Sequence, residues 1–308
     1  MRVVVTGGAG FIGANLCREL ATRDAVTEVV ALDDLSSGFA SNLDGVDAGL
    51  VEGSILDRDV LSNVMDGAAA VVHLAARPSV PRSLLDPVAS HEVNATGTLY
   101  VMEAARAAGA HVVVASSSSV YGNSDVLPKS EDSPTRPLSP YAVSKLATEG
   151  YALAYQASYG LPVLAFRFFN VYGPLQAAGH AYAAVVPAFV EAALRGEPVT
   201  IYGDGLQTRD FTYVGTVSRV LADAVVGRVA APEPVNLAFG TRSSLLDLLA
   251  LLEELVGAPV ARQHEPARRG DVRDSQASFD RLTALFPGLV PTDLRSGLAD
   301  TLAWFQRD

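Results

Sequence analysis

The stretch VVVTGGAGFIGANL, Val3–Leu16, decides the fold because it joins a β-branched run to a helical pattern through spaced glycines. Gly7, Gly10 and Gly13 follow one another at three-residue intervals. Glycine at such positions allows a tight turn, close approach of the backbone to a pyrophosphate, and close packing of the helix on the sheet. The N-terminus of the next helix presents free amides to the phosphates. Many glycine-rich turns only reverse the chain, but this one lies at the strand-to-helix junction that dinucleotide binding requires.

The second β-rich run, EVVALDD, ends in two acidic residues. Asp33 lies twenty residues after Gly13, where a carboxylate can accept hydrogen bonds from the adenosine ribose hydroxyls. Such a carboxylate would repel a 2′-phosphate, so the pattern predicts NAD rather than NADP. The competing interpretation makes Asp33 and Asp34 solvated acids at a strand end. Farther along, Asp57 either touches the adenine side of the cofactor or, with Asp59, caps the following helix.

Short apolar runs alternate with longer helical patterns through the first half of the chain. We predict strands in RVVVTG, EVVALDD, GLVEGS, AVVHLAA, HVVVASS and PVLAFRFFN, and helices over Asn94–Ala108 and Tyr141–Tyr159. Continuous apolar strands separated by helices predict an α/β fold of the Rossmann type, a doubly wound parallel sheet covered on both faces.

The regular alternation of strands and helices in the sequence changes after Pro174. A helical pattern in AVVPAFVEAALRG precedes a short strand, VTIYG, and a leucine-rich helix, SSLLDLLALLEELVG, begins behind a serine that can cap its first turn. These elements predict a second, smaller α/β lobe.

Composition limits the classes of partner. The 308 residues carry a formal net charge of −11, which argues against a nucleic-acid partner because phosphate backbones require a basic face. The mean hydropathy is +0.24, yet no uninterrupted apolar run approaches the ~18 residues of a membrane helix. The single cysteine, Cys17, cannot form an internal disulfide. The chain opens directly into a β-rich run where a signal peptide would need a longer apolar segment, so we expect a cytoplasmic location. We also expect a soluble protein that has no membrane partner and no metal site.

The stretch SPYAVSK contains one of only two lysines in the chain, Lys145, four residues after Tyr141. On a helix the two side chains lie one turn apart on the same face. A phenol with an ordinary pKa near 10 needs a shift of roughly 3 units to act as a base at neutral pH. A lysine ammonium and a positive nicotinamide ring would both favour the phenolate. Alternatively, the pair only stacks on a solvated helix face.

A serine cluster, ASSSSVYG, follows the fifth predicted strand. Its hydroxyls therefore emerge at the carboxyl ends of the sheet, where α/β proteins bind their ligands. One serine could hydrogen-bond the substrate oxygen that Tyr141 deprotonates, while the others satisfy loop backbone groups.

Seven motifs occur in family order along the chain: TGGAGFIG, HLAA, SSSSVYG, SPYAVSK, RFFNVYGP, YGDGLQTRDFTYV and RRGDVRDS. With them the sequence resembles the extended short-chain dehydrogenase/reductase family, and in particular its nucleotide-sugar epimerases and dehydratases. The resemblance covers essentially the whole chain and is closest to the UDP-glucose (UDP-hexose) 4-epimerases. It implies an NAD-binding domain over residues 1–171 and 208–239 and a nucleotide-sugar-binding lobe over residues 172–207 and 240–308.

The resemblance also implies roles for individual residues. Ser117 is the expected catalytic serine, Tyr141 the acid and base, and Lys145 a ligand of the cofactor ribose. Phe169 and Asn170 are expected to flank the nicotinamide and the sugar diphosphate. The implied cofactor contacts are Gly7, Gly10, Phe11, Ile12, Gly13, Asp33, Asp34, Ser36, Ser54, Ile55, Leu74, Ala75, Ala76, Asn94, Tyr141, Lys145 and Phe168. The implied substrate contacts are Ser79, Ser117, Ser118, Tyr141, Asn170, Val185, Val186, Tyr202, Arg209, Arg268 and Ser275.

Within the implied substrate set, Tyr202 is expected to stack on the base, and Arg209 and Arg268 to clamp the diphosphate. Ser275 stands where glucose-restricted epimerases have a bulky tyrosine, which implies room for an N-acetyl group. Three departures from the family pattern are Ser54 in place of an adenine-contacting aspartate, Leu175 in place of an arginine, and Gly215-Thr216 in place of acidic residues that affect a helix cap.

The implied activity is 4-epimerisation of a UDP-sugar. Dehydratases of this branch carry an acidic residue just after the catalytic hydroxyl residue, whereas this chain has Ser118 and Ser119. An epimerase removes hydride from C4, turns the bound 4-keto sugar and returns the hydride to its other face. The alternatives are an NAD-dependent dehydratase or decarboxylase, and a sensor that binds both ligands without turnover. The resemblance also implies a homodimer in which the two alanine-rich helices form a four-helix bundle.

Overall fold

A computed structural model describes residues 1–124, 126–178, 183–266 and 273–307. The strands in this part of the chain are β1 (Arg2–Thr6), β2 (Glu28–Asp33), β3 (Gly49–Glu52), β4 (Ala70–His73), β5 (His111–Ser117), β6 (Val163–Phe168), β7 (Val171–Tyr172), β8 (Val199–Tyr202), β9 (Thr208–Arg209), β10 (Thr212–Tyr213), β11 (Val235–Leu237), β12 (Ser243–Ser244) and β13 (Arg262–Glu265).

The α-helices are α1 (Phe11–Leu20), α2 (Arg58–Met65), α3 (Val80–Leu85), α4 (Pro87–His91), α5 (Gly97–Ala108), α6 (Pro140–Tyr159), α7 (Val185–Arg195), α8 (Val214–Val226), α9 (Leu245–Val256), α10 (Asp280–Leu285) and α11 (Leu294–Phe305). Two 3₁₀ turns, Ala40–Leu43 and Ser118–Tyr121, and one π-helical turn, Glu92–Thr96, complete the helical elements of the described residues. None of the helices in the described ranges is both long and apolar enough to cross a bilayer.

Seven parallel strands form the central sheet in the order β11-β6-β5-β4-β1-β2-β3. The chain builds outward from β1 to β3 and then resumes with β4 on the other side of β1. Ligands of such sheets bind outside the carboxyl ends of the strands at this reversal point. The glycine turn follows β1 and the HLAA segment follows β4, so both lie at that place. The predicted Rossmann-type fold is confirmed.

Alternating residues of the strands pack into two separate hydrophobic layers, one on each face of the sheet. Val3 and Val5 of β1 pack with α1 and α8, whereas Val4 packs with α2, α5 and α6. Side chains of a strand point to opposite faces in turn, so a strand buried on both faces is apolar throughout. This packing explains the uninterrupted apolar runs of the sequence. Cys17 lies on the α1 side as a buried packing residue, and burial raises the pKa of its thiol to about 12.

A third core belongs to the smaller lobe. It gathers β8 and the apolar faces of α7, α9 and α11. Helix α9 starts with a capping box in which Ser244 and Asp247 each receive the other's backbone amide, as the capping serine of the leucine-rich stretch predicts. Gly257 ends it in the left-handed region, with φ of 77°.

Some elements differ from expectation. The helix predicted over Asn94–Ala108 begins earlier, because α4, the π turn and α5 run on with helical backbone angles. The three-residue strand β11 and the short pairs β7–β10 and β9–β12 were not predicted. Helix α10 falls in the range predicted for the lobe, yet its Leu282 packs in the core of the central sheet. Helix α8 begins at the Gly215-Thr216 departure without a side-chain cap.

Candidate active site

The glycine turn after β1 leaves no room for side chains. Gly7 has φ of +71°, and a Cβ built on it would lie 2.7 Å from the backbone nitrogen of Ala75. A Cβ on Gly13 would overlap the carbonyl oxygen of Gly7, so α1 packs directly on the turn. Gly10 precedes α1, and none of the described side chains caps the helix. The first-turn amides, including those of Phe11 and Ile12, therefore remain available to an anion, which fits the diphosphate of NAD.

Asp33 ends β2 beside this turn. Its carboxylate accepts the amide of Ala9 at 3.0 Å and that of Leu35 at 2.9 Å, which fixes its orientation against the glycine loop. Burial raises the pKa of Asp33, and the backbone amides oppose that effect. Each carboxylate oxygen retains a second lone pair, so the geometry fits a ribose hydroxyl as well. Asp34 instead is exposed and bonds to the amide and hydroxyl of Ser36.

The remaining predicted cofactor residues line the same edge or support it. Ser54 accepts the amide of Leu56, and Asp57 caps α2 by accepting the amides of Asp59 and Val60, which favours the helix-cap interpretation. Ile55 is buried in the core of the α2 and α5 layer. Leu74, Ala75 and Ala76 follow β4 as partly exposed residues, and Phe168 ends β6 in the same condition.

Ser117, Tyr141 and Lys145 come together where β5 meets α6. Ser139 caps α6 by accepting the amide of Ala142, and Pro140 occupies the first turn. Tyr141 and Lys145 then lie one turn apart on α6, and the Ser117 hydroxyl at the end of β5 lies close enough to the Tyr141 phenol to lower its pKa. Lys145 reaches back to β5, where its ammonium donates to the carbonyl oxygen of Ala115 at 2.8 Å. Tyr141 and Lys145 therefore pack against the end of β5 and do not stack on a solvated helix face.

Burial disfavours both charged forms in this group. It raises the pKa of Tyr141, and the Ser117 hydrogen bond lowers that pKa in part. Burial also lowers the pKa of Lys145 to about 8. The tyrosine of the cofactor-free chain therefore stays protonated at neutral pH, and the expectation that Lys145 and the positive nicotinamide ring together favour the phenolate stays a prediction.

Asn94 holds the segment after β4 against α6. Its side-chain oxygen accepts the amide of Arg77 at 2.7 Å, and its amide nitrogen donates to the Arg77 carbonyl and to the Ser144 hydroxyl at 2.9 Å. The Asn94 carbonyl accepts hydroxyl protons from Thr98 and Thr148 at 2.6 and 2.9 Å. This side chain already uses both of its N–H groups within the protein, and a cofactor contact by Asn94 stays a prediction.

A buried ion pair lies directly behind the catalytic group. Glu149, one turn beyond Lys145, accepts two hydrogen bonds from the Arg167 guanidinium on β6 at 2.6 and 2.9 Å. It also accepts the Ser116 hydroxyl of β5 at 2.9 Å. Arg167 continues to the Tyr121 phenol at 2.9 Å. Although burial opposes the charged form of Arg167, its hydrogen bonds and its attraction to Glu149 raise its pKa.

The predicted substrate residues follow the rim between the sheet and the lobe. Ser79 caps α3 with φ of 95°, and Asn170 has φ of 32°, both outside the usual range for such residues. Tyr202 ends β8, while Arg209 donates to the carbonyls of Thr208 and Arg273 at 2.9 and 3.1 Å. The other placements are a partly exposed Ser118 and Val185, a Val186 buried in the lobe core, a partly exposed Ser275, and Arg268, which lies outside the described residues.

Phe169 does not line an open cleft. It is fully buried and packs against Tyr121, with ring centroids 6.2 Å apart, and against Ala238. Below this rim the buried carboxylate of Asp210 accepts the amides of Gly240 and Ala277 and the Thr241 hydroxyl, at 2.8 to 3.1 Å.

Sequence reasoning missed Glu149, Arg167 and Asp210. A signal existed for the first two, because Glu149 repeats the four-residue spacing of Tyr141 and Lys145, and Arg167 interrupts an apolar buried strand. In the described ranges, no group of three or more histidine, cysteine and acidic side chains could hold a metal ion.

The parallel sheet, the glycine turn and the Ser-Tyr-Lys group together define a dinucleotide-dependent enzyme of the short-chain dehydrogenase/reductase type. The model of the NAD dependent epimerase/dehydratase family matches residues 3–238. The chain therefore belongs to the NAD-dependent epimerase/dehydratase family, and its cofactor is NAD.

Relatives within this family differ in activity. The chain is 39% identical to a UDP-glucose 4-epimerase of Mycolicibacterium smegmatis, over 99% of both chains. It is 32% identical to a dTDP-glucose 4,6-dehydratase of an Actinoplanes species, over 99% of this chain and 98% of the relative. The solved UDP-N-acetylglucosamine 4-epimerase of Methanobrevibacter ruminantium, in complex with UDP-N-acetylmuramic acid, superimposes with a TM-score of 0.93 at 32% identity, over 99% and 98% of the two chains.

The Glu149–Arg167 pair yields a prediction about stability. Glu149→Gln should lower the free energy of unfolding by about 3–5 kcal/mol, because it leaves the buried Arg167 charge without its counterion. Urea denaturation followed by circular dichroism measures the effect. The matched control is Glu191→Gln, which breaks the more exposed pair with Arg195 and should cost less than about 1 kcal/mol. Equal losses in the two variants would contradict this account of the buried pair.

Proposed function

We propose that the chain is a UDP-hexose 4-epimerase that interconverts UDP-glucose and UDP-galactose and also accepts UDP-N-acetylhexosamines. The observation that carries the proposal is the approach of the Ser117 hydroxyl to the Tyr141 phenol, whose pKa it lowers, at the carboxyl end of β5, with Lys145 one turn along α6 and only serines at the two positions after Ser117. This group can exchange one proton with a sugar hydroxyl, and it offers no carboxylate at those two positions for the elimination of water.

The proposal assigns the cofactor to the glycine turn. The first-turn amides of α1 would hold the diphosphate of NAD, Asp33 the adenosine ribose, and Lys145 the nicotinamide ribose. Lys145 suits that task because a compact ammonium can donate to Ala115 and to a ribose hydroxyl at once. When bound, NAD supplies reversible acceptance of a hydride from the sugar carbon.

The chain's own residues then move one proton. Tyr141 as phenolate takes the proton of the sugar 4-hydroxyl and later returns it, while the single hydroxyl proton of Ser117 is directed at the Tyr141 oxygen and stabilises the phenolate. Because burial raises the pKa of Tyr141, the phenolate needs nearby positive charge, which Lys145 and the bound cofactor together provide. A partly exposed Asn170 at the rim and the Arg209 guanidinium would hold the sugar diphosphate.

The neighbouring carboxylates do not favour dehydration. Glu149 spends its oxygens on Ser116 and Arg167, and Glu131 accepts the buried amide of Asn236 at 2.8 Å. Both are buried and hydrogen-bonded away from the Ser117 hydroxyl, so neither is free to remove a sugar proton. This arrangement supports epimerisation over the dehydratase activity that one relative carries.

Tyr141→Phe tests the proton transfer. We expect kcat for UDP-galactose to fall by about 10²–10⁴-fold, because the variant lacks the phenolic oxygen that exchanges the proton. NMR of the sugar C4 configuration measures the rate. Tyr159→Phe makes the same change at the exposed end of the same helix and should retain parent activity. Parent-like turnover by Tyr141→Phe would refute the mechanism.

The same assay separates the alternatives. A panel of UDP-, dTDP- and GDP-sugars, analysed by NMR and mass spectrometry, should give products of unchanged mass and inverted C4. Loss of water or of carbon dioxide would instead identify a dehydratase or a decarboxylase. Unaltered sugar nucleotide and unaltered NAD across the whole panel would favour the sensor.

Ser275 is the proposed gate for the C2 substituent of the sugar. Its amide donates to the Thr208 carbonyl at 3.1 Å, and neighbouring Asp274 accepts the Thr208 hydroxyl at 2.5 Å, so the position is well fixed. We expect Ser275→Tyr to lower the activity on UDP-N-acetylglucosamine relative to UDP-glucose by about 10–200-fold, by steric exclusion of the acetyl group. Steady-state kinetics on both substrates measures the ratio, with Ser275→Ala as the size-conserving control. An unchanged ratio in Ser275→Tyr would show that the gate lies elsewhere.

We also propose the homodimer that the family resemblance implies. Helix α6 exposes a stripe of small residues in which Gly150 has nothing within 4 Å of a built Cβ. Glycine in a helix interior costs about 1 kcal/mol relative to alanine, and close approach of another helix is one reason to retain it.

Gly150→Arg tests this arrangement without disturbing the fold of one chain. The new side chain points into open space and favours the helix, so we expect a folded monomer by light scattering after size exclusion. Gly49→Arg on the edge strand β3 is the control and should leave the dimer intact. A dimeric Gly150→Arg would place the interface on another surface.

A further inference from the structure

The hydroxyl oxygen of Ser117 accepts two hydrogen bonds from a single neighbouring residue, Ser119. The amide of Ser119 donates to it at 3.2 Å, and the Ser119 hydroxyl donates to it at 2.9 Å. Ser117 caps the 3₁₀ turn Ser118–Tyr121, so the two residues have a fixed separation. The turn itself is anchored by the buried Tyr121, whose phenol donates to Asn236 at 2.6 Å. Ser119 therefore approaches Ser117 from a rigid position.

These two contacts limit where the Ser117 proton can point. A hydroxyl has one donor and two acceptor sites. With two hydrogen bonds arriving from Ser119, both acceptor sites are filled, and the single proton must be directed away from Ser119. The Tyr141 phenol also lies near this hydroxyl, which lowers the pKa of the phenol. A hydroxyl without these contacts could rotate and accept a proton from the tyrosine instead.

We propose that Ser119 is a positioning residue for the proton transfer, which occupies the acceptor sites of Ser117 and thereby directs the Ser117 hydroxyl proton toward the Tyr141 oxygen. The inference rests on the proposed function. In it, Ser119 touches neither sugar nor cofactor and acts only through Ser117. Its two donated hydrogen bonds also polarise Ser117, because hydrogen bonds in a chain strengthen one another. A stronger Ser117 donor stabilises the phenolate form of Tyr141.

A carboxylate at position 119 could only accept hydrogen bonds. The Ser117 hydroxyl would then donate to that carboxylate, and its proton would point away from the tyrosine. A serine there donates instead. The hydroxyl of Ser119 thus fits a reaction in which the proton always moves between the sugar oxygen and Tyr141.

Other titratable groups near this pair are the same in all the variants below. Lys145 and Glu149 come from α6, Arg167 from β6 and His73 from β4. Glu149 and Arg167 lie behind Ser116 and pair with each other, and His73 is held between the hydroxyls of Thr6 and Thr98. A change in the titration of Tyr141 that follows the hydroxyl at position 119 can therefore be assigned to the Ser119 contact.

Ser119→Thr and Ser119→Val form the decisive pair, because they have the same shape and differ only in the hydroxyl. The direct measurement is NMR titration of the NAD-bound enzyme labelled with ¹³C at the tyrosine ring carbon bearing the oxygen, with the Tyr141 signal assigned by its loss in Tyr141→Phe. We expect Ser119→Val to move the Tyr141 titration upward by roughly 0.5–1 pH unit, and Ser119→Thr to match the parent.

Kinetics give a second readout. In Ser119→Val the acid limb of the kcat/KM profile should shift to higher pH by the same amount, which lowers activity by about three- to tenfold below the limb. Activity above the limb and KM should stay within about twofold of the parent. If Ser119→Val proves unstable, Ser119→Ala compared with the parent replaces it in both measurements.

A Tyr141 titration that is equal in the valine and threonine variants would overturn the proposal. An activity loss of the same size at every pH, or a loss confined to KM, would also overturn it, because a structural or substrate-binding role gives those patterns. The NMR titration needs no sugar substrate. It therefore decides the role of Ser119 even if the parent fails to epimerise every sugar tested, a result that would defeat the proposed function alone.

Discussion

The Glu149–Arg167 ion pair is the constraint on which the active-site geometry depends. Removing two charges from water costs several kcal/mol for each ion, so such a pair is tolerated only when its hydrogen-bonding groups are satisfied. Here Glu149 accepts three hydrogen bonds, and Arg167 also reaches the Tyr121 phenol and the Glu131 carbonyl. The pair joins α6 to β5 and β6 at one height. A slip of α6 by one residue would break all three hydrogen bonds of Glu149.

Two adjacent residues of β5, Ser116 and Ser117, connect the ion pair to the catalytic group. Ser116 and Ser117 point to opposite faces of β5, because side chains alternate along a strand. Ser116 bonds to Glu149, and Ser117 reaches Tyr141, so one strand carries the anchor and the reacting hydroxyl side by side. On α6 the four-residue spacing of Tyr141, Lys145 and Glu149 keeps all three on one face. The Glu149–Arg167 pair and the catalytic side chains therefore keep fixed positions relative to each other.

Local patterns predicted much of this molecule, whereas long-range contacts did not follow from them. The six apolar runs, the glycine spacing and the capped helix α9 each depend on residues close in the chain, and each was found where predicted. The strand β11 has only three residues and joins the sheet beside β6, some seventy residues earlier in the sequence. No local period marks such a partner. The Ser119 contact was missed for another reason, since in a run of four serines only the turn geometry distinguishes one hydroxyl from the next.

The burial that makes the site rigid also opposes its chemistry. Burial raises the pKa of Tyr141, so the tyrosine favours its neutral form in the cofactor-free chain, and it lowers the pKa of Lys145 to about 8, which weakens the ammonium form without abolishing it at neutral pH. A base formed in such a place must be stabilised by hydrogen bonds and by charge that arrives with the ligands. Ser117 contributes the hydrogen bond, and its value depends on the direction of one proton. The amide and hydroxyl of Ser119 are the fixed donors that set the direction of that proton.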